Sequence, residues 1–199
     1  MYTPKLITES IKEAVSLAEL KLHCQLDSSD HDTILEIYRV AARRYFEERT
    51  CRAVHEKTLE WVLDKWPDGD CIVLPRATPL IGITSIKYKD SAGTEETWAA
   101  SNYIADTDPT PGRVALAYGC SWPTTTLYPV SAIRVRYRAG QATTSPPTEC
   151  VADIKLPVLM LAKGMFEFRD PLVVTPTPVS EIAQSCGAEA FMAGMIVHG

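Results

Sequence analysis

Cys120 and Ser121 stand side by side in GRVALAYGCSWP (112–123), at the end of a short apolar run. A thiol or hydroxyl raised on a tight turn is one way acyl-transfer enzymes present a nucleophile. A strand-to-helix elbow reads G-x-S-x-G, and Gly119 and Ser121 supply its first half. Pro123 occupies the place of the second glycine, and PTTTLYP, which follows, is not a helix start. A base is also needed, and His23, His31, His55 and His198 lie in no recognisable triad context. A thiol- or serine-dependent hydrolase at Cys120/Ser121 is therefore the alternative reading. The preferred one is non-enzymatic: Val114, Leu116 and Tyr118 form a strand face, Gly119 turns the chain, and Trp122 caps the core.

Other chemistry-bearing residues fare similarly. DSSDHD (27–32) lacks the glycine and the terminal glutamate of a calcium loop, so it reads as helix-capping turn chemistry. Cysteines occur at 24, 51, 71, 120, 150 and 186 with no CxxC pair, so no metal site and no cofactor is expected and the thiols read as free, small core residues. Arg134, Arg136 and Arg138 alternate along one strand face, about 7 Å apart. They suit either an acidic partner or passing nucleic acid, or else a solvated face paired with neighbouring carboxylates. Arg39, Arg43 and Arg44 pose the same choice on a helix. A nucleic-acid-binding module using the 134/136/138 stripe stays open as a further alternative.

The elements that must position these residues follow from periodicity. Ser16 and Glu19 have capping-box spacing, which predicts a short helix over 17–23. Ile34, Ile37, Tyr38, Ala41 and Tyr45 recur at helical spacing, with Leu35, Ala42 and Phe46 beside them, which predicts about five turns ending near Cys51. From His55 the period drops to two. TLEWVLD (58–64), CIVLP (71–75), LIGITSIKY (80–88), 103–105, 113–118 and AIRVRYRAG (132–140) read as six short antiparallel strands. KDSAGTEE (89–96) reads as a hairpin turn, and Ile133, Val135 and Tyr137 are expected to face inward. A helix is expected from about Thr148 to Phe168, kinked or split by Pro157. The tail opens PLVVTPTP, which predicts no regular packing.

The fold class is thus α+β. Residues 1–54 form an N-terminal helical part and 55–140 an inserted antiparallel β-domain. Residues 141–170 form a C-terminal helix completing the helical part, and 171–199 an extended tail. The formal charge of −5 argues against a dedicated nucleic-acid binder. No apolar run approaches the length of a membrane span and the N-terminus lacks a signal-type core, so a soluble, intracellular chain is expected.

Five segments in this order resemble a known pattern. In 16–54, Leu17, Ala18, Glu19, Lys21, Asp27, Ala41, Ala42, Arg43, Glu48, Thr50 and Arg52 fall on the opening helices of the head–tail connector, or adaptor, proteins of long-tailed bacteriophages, prophages and gene-transfer particles. LPRATPLIGITSIKYKDSAG (74–93), YIADTDPTPGRVALAYGCSWP (103–123), IRVRYRAG (133–140) and FEFRDP (166–171) continue the similarity across about 16–171. Cys51 departs from the family's small residue after Thr50, Pro157 interrupts a helix that the family keeps continuous, and the last 15 or so residues have no counterpart.

The resemblance implies a structural virion protein at the head–tail interface, assembled in the bacterial host cytoplasm. Such a subunit would form a ring of twelve copies beneath the portal protein. It would bridge the portal to the next connector or tail component and leave a channel for DNA, held weakly and non-specifically. The family's C-terminal segment grips the portal, which makes Phe191, Met192, Met195 and Ile196 the candidate anchors. On that expectation, truncation after Asp170 leaves the fold intact and abolishes portal binding.

Overall fold

The computed structural model describes residues 3–9, 12–141, 152–168 and 179–196. They form an α+β fold in two compact units. The described residues of the sheet unit are 3–9 and 56–141; those of the helical unit are 12–55, 152–168 and 179–196.

The helical unit begins with α1 (Leu17–Cys24). Its capping box is complete: Ser16 Oγ accepts the Glu19 N–H at 3.2 Å, and Glu19 Oε2 accepts the Ser16 N–H at 2.7 Å. Lys155 of α3 (Ala152–Glu167) also donates to Glu19, at 2.8 Å. With the Ser16 backbone, it holds the Glu19 carboxyl down at about 2. α2 (Asp32–Thr50) does not start as expected. His31 is its N-cap, with no side-chain cap bond, and Asp32 instead pairs with Lys21 at 2.7 Å. The buried stripe of α2 is centred on Leu35, Ala42 and Phe46, and Ile37 is 57% exposed. The stripe is rotated because buried Arg43 and Glu47 share the inward face.

α3 runs unbroken through Pro157. The proline sits near the helix start, where it deprives only the Asp153 carbonyl of its helical partner. Ile154, Val158 and Leu161 face the core as expected, whereas Phe168 is half exposed. The helix's expected start, 148–151, lies outside the described residues. The extended tail is corrected: its described part folds as α4 (Val179–Ser185) and α5 (Ala188–Ala193). Ile182, Ala183, Ala188 and Met192 are buried, and all but Ile182 join the core cluster around Leu35, Phe46, Val158 and Leu161. Gly164 on α3 permits the approach, since a Cβ there would lie 2.7 Å from Ile182 Cγ2. Gly187, at φ +77°, reverses the chain between the two helices. Residues 171–178, with PLVVTP, lie outside the description.

The sheet unit holds eight strands among the described residues: β1 (Lys5–Thr8), β2 (Lys57–Leu63), β3 (Cys71–Val73), β4 (Leu80–Lys89), β5 (Glu95–Trp98), β6 (Tyr103–Asp106), β7 (Arg113–Leu116) and β8 (Ile133–Ala139). One antiparallel sheet has the order β1-β2-β8-β4-β5 and a second the order β3-β7-β6. β1 and β5 are additions to the expected six. β1 is short and fully exposed, so it carries no inward apolar period to read. β5 carries Glu95 and Glu96, which read as turn residues. On β8 the alternation holds: Ile133, Val135, Tyr137 and Ala139 are buried, and Tyr137 donates its hydroxyl to the Pro75 carbonyl.

Candidate functional site

The opening turn is closed by its backbone. Cys120 N–H donates to the Ala117 carbonyl at 3.0 Å, and Gly119 takes φ +75°. Ala117 in turn donates to the Asn102 carbonyl, and the Cys120 thiol faces Asn102 Oδ1 at 4.0 Å. Trp122 stacks on Trp66 at 5.0 Å and donates Nε1–H to the Gly69 carbonyl at 2.8 Å. Trp98 completes this cluster, 5.2 Å from Trp122. Upstream, Gly112 is wedged against Leu80, where a Cβ would come within 2.4 Å of Leu80 Cβ. Arg113 pairs with Asp106 across the β6–β7 ladder at 2.8 Å. Gly112, Val114, Gly119 and Trp122 therefore have packing or turn roles, whereas Tyr118, expected on the strand face with Val114 and Leu116, lies beyond the end of β7 (Arg113–Leu116) and is fully exposed. His23, His31 and His55 belong to the helical unit, and His198 lies outside the described residues.

The arginine stripe is committed to carboxylates. Glu60 on β2 is buried, and its side chain is 5% exposed. It accepts from Arg136 Nη2 at 2.8 Å and lies 3.5 Å from Arg134 Nη1. Arg138 pairs with Glu56 at 2.8 Å. The three arginines are about half exposed, so solvent still reaches this face. A broad groove nearby in the same unit is lined by Val62, Trp66, Val73 and Val130. Its carboxylates are tied up: Glu60 as above, and Asp64 by the Ser131 N–H at 2.7 Å.

On α2 the three basic candidates separate. Arg43 is buried, which corrects its reading as a basic residue open to a partner, to nucleic acid or to solvent. Its Nε meets Glu13 at 2.7 Å, and its Nη1 meets Glu47 at 2.9 Å. Glu47 Oε1 then accepts the Val54 N–H at 2.9 Å, so the network pins the segment after the helix. Arg39 bonds Glu36 and the Val15 carbonyl. Arg44 is exposed. His55 is buried near this network; burial foremost pushes its imidazole below the usual range, opposed by a hydrogen bond with the Glu13 backbone.

The C-terminal anchors also divide. Phe191 is 46% exposed, Met192 is fully buried, and Met195 and Ile196 are half buried. α5 is clamped to α2: Glu189 accepts from Tyr45 at 3.1 Å and from Arg49 at 3.4 Å. Arg52 Nε donates to the Met195 carbonyl at 2.9 Å. Sequence reading missed these clamps because the partners lie more than a hundred residues apart.

Among the described residues no group of three His, Cys, Asp or Glu gathers for a metal ion, and no helix is long and apolar enough to cross a membrane. Five described cysteines are free and half buried.

This combination defines a class: a two-unit α+β protein whose polar clusters, among the described residues, are paired within their own unit. Three of the solved chains it is similar to are components of gene transfer agent particles. A chain in the neck of an empty particle, computed with C6 symmetry, superposes with a TM-score of 0.70 at 24% identity over 93% of this chain and 95% of that one. A chain in the neck of a native particle, computed with C12 symmetry, gives 0.70 at 23% identity over 93% and 94%. A chain of the native virion gives 0.69 at 23% identity over 92% and 94%. No protein-family model matches the sequence, and no curated protein matches it.

Proposed function

We propose that this chain is a non-enzymatic structural subunit of the neck of a phage-like particle: a head–tail connector that forms a ring beneath the portal and joins it to the next connector or tail component. The observation that carries the proposal is the near full-length likeness of the fold to neck chains of gene transfer agent particles. The C6 and C12 symmetries of those necks support a ring of copies, twelve in the fuller case. Its site of action would be the virion, after assembly in the host cytoplasm.

The side-chain chemistry supports a conduit for DNA. Arg43 is buried, and Arg39, Arg134, Arg136 and Arg138 are paired to carboxylates, so five of the six basic candidates are already engaged within the chain. DNA would then pass with weak, non-specific contact. Phe191 is the exposed apolar member of the C-terminal set and the first candidate for portal contact, with Met195 and Ile196 beside it. Met192 supports that surface from the core.

Particles assembled without the chain should be heads that lack tails, leaking or retaining their DNA. Normal tailed particles would overturn the proposal. Negative-stain images of the chain mixed with its portal should show a ring on the portal's outer face.

A further inference from the structure

The five-stranded sheet ends in two open edges, β1 on one side and β5 on the other. Each is four residues long, and among the described strands neither has a partner on its outer side. Bare edges invite pairing with another chain, and proteins that stay monomeric blunt them with charge, proline or a covering element. β1 is blunted by its short length, by Lys5 and by Pro4 before it, but no described strand covers it. All four of its residues are exposed, including Leu6 at 45% and Ile7 at 37%, with Lys5 as the one charge. A register irregularity between Leu6 and Thr8 limits any added ladder to a short one. β5 exposes Glu95, Glu96 and Thr97; Glu95 already pairs with Lys87 at 2.7 Å and Glu96 accepts from the Tyr88 hydroxyl, but both remain exposed, so β5 is the acidic edge and β1 the basic one.

Direction matters as well. Every neighbouring pair in this sheet is antiparallel, and there are five strands, so the two edge strands run the same way. A cyclic ring needs two different, complementary patches on opposite sides of one subunit. The two edges of one sheet meet that need by construction. Successive copies in a many-membered ring differ by a small rotation, which leaves strand directions nearly unchanged. β5 of one copy therefore meets β1 of the next in parallel. A twofold dimer would instead bring β1 against β1, or β5 against β5, in antiparallel fashion.

We propose that copies of this chain join head to tail by parallel pairing of β1 with the neighbour's β5, with Lys5 set beside Glu95 or Glu96 as the register dictates. The inference rests on the ring reading above and specifies its subunit contact. Backbone hydrogen bonds supply the attachment, and the charges select β1-to-β5 pairing over either self-pairing.

The test is disulfide trapping in rings of the full chain, formed alone at high concentration or within particles. Leu6→Cys is combined in turn with Glu96→Cys and with Thr97→Cys, so that both side-chain faces are sampled. The unsubstituted chain controls for the native thiols. One of the double variants should give a ladder of covalent dimers, trimers and higher species under mild oxidation, and the single variants should not. Intact rings with no ladder from either double variant would overturn the pairing and leave the connector reading standing. A covalent dimer from Leu6→Cys alone would likewise overturn it in favour of self-pairing. If the chain forms no ring alone and enters no particle, the connector reading fails and the pairing falls with it.

Discussion

Glu60 and Arg136 face each other directly across the β2–β8 ladder, and Arg136 Nη2 donates to Glu60 Oε2 at 2.8 Å. The carboxylate is buried while the guanidinium is about half exposed. Arg134, two residues along β8, shares the same carboxylate at 3.5 Å. One nearly dry anion thus ties down two of the three cations in the stripe. Removing it should expose what the stripe does when free.

Glu60→Gln leaves two guanidiniums without their shared anion, and is expected to destabilise the chain by about 1–3 kcal/mol. It should also strengthen low-salt DNA binding, read by anisotropy across a salt series. Arg138→Ala disrupts only the more exposed pair with Glu56 and should cost less than about 1 kcal/mol in urea denaturation.

Arg43→Ala removes the buried cation between Glu13 and Glu47 and should cost about 3–5 kcal/mol. Arg43→Met retains some of the packing volume and should cost less. If Arg43 instead served DNA, Arg43→Ala would leave the melting temperature in place and lower only the affinity.

Met192→Ala opens a cavity in the helical core and should cost about 2–5 kcal/mol. Phe191→Ala should shift stability far less and act on portal affinity instead. Truncation after Asp170 removes buried Ile182, Ala183, Ala188 and Met192, so it should destabilise the helical unit rather than spare it. Proteolysis and thermal melts of the truncated chain check this.

Gly112→Ala forces a methyl group into Leu80 and should cost about 1–3 kcal/mol. Gly119→Ala meets open space but keeps a positive φ, and should cost about 1 kcal/mol. Neither Cys120→Ala nor Ser121→Ala should impair particle assembly beyond any change in melting temperature.

His55 gives stability a pH dependence. Burial holds its folded pKa below the ordinary 6.5, so below that pH the unfolded chain binds more protons than the folded one. Stability should fall as pH drops from about 6.5 and level off once the depressed folded value is passed. Melts between neutral and mildly acid pH should show the slope, and His55→Leu should flatten it. Lys155→Ala should raise the Glu19 pKa from about 2 toward its ordinary value, followed by NMR titration.

Much of this was legible from local pattern. The Ser16–Glu19 capping box, the inward alternation of β8 and the turn at Gly119 are properties of near neighbours in the chain, where spacing alone sets geometry. The α2 stripe was read one position away from its true centre, because Arg43 and Glu47 look like surface residues until their partners arrive. β1 and the α4–α5 pair were missed for a related reason. A fully exposed edge strand has no buried period, and two short helices owe their stability to a face on α3.

By itself the sequence determined the α+β class, the strand alternation and the absence of a recognisable nucleophile elbow, since each depends on residue types a few positions apart. Only the tertiary structure decided which charges are free and which are spent. Glu60 finds Arg136 through a ladder, Arg43 finds Glu13 across the helical unit, and Met192 finds its core through long-range packing. Those pairings depend on three-dimensional proximity, which residue spacing along the chain does not encode.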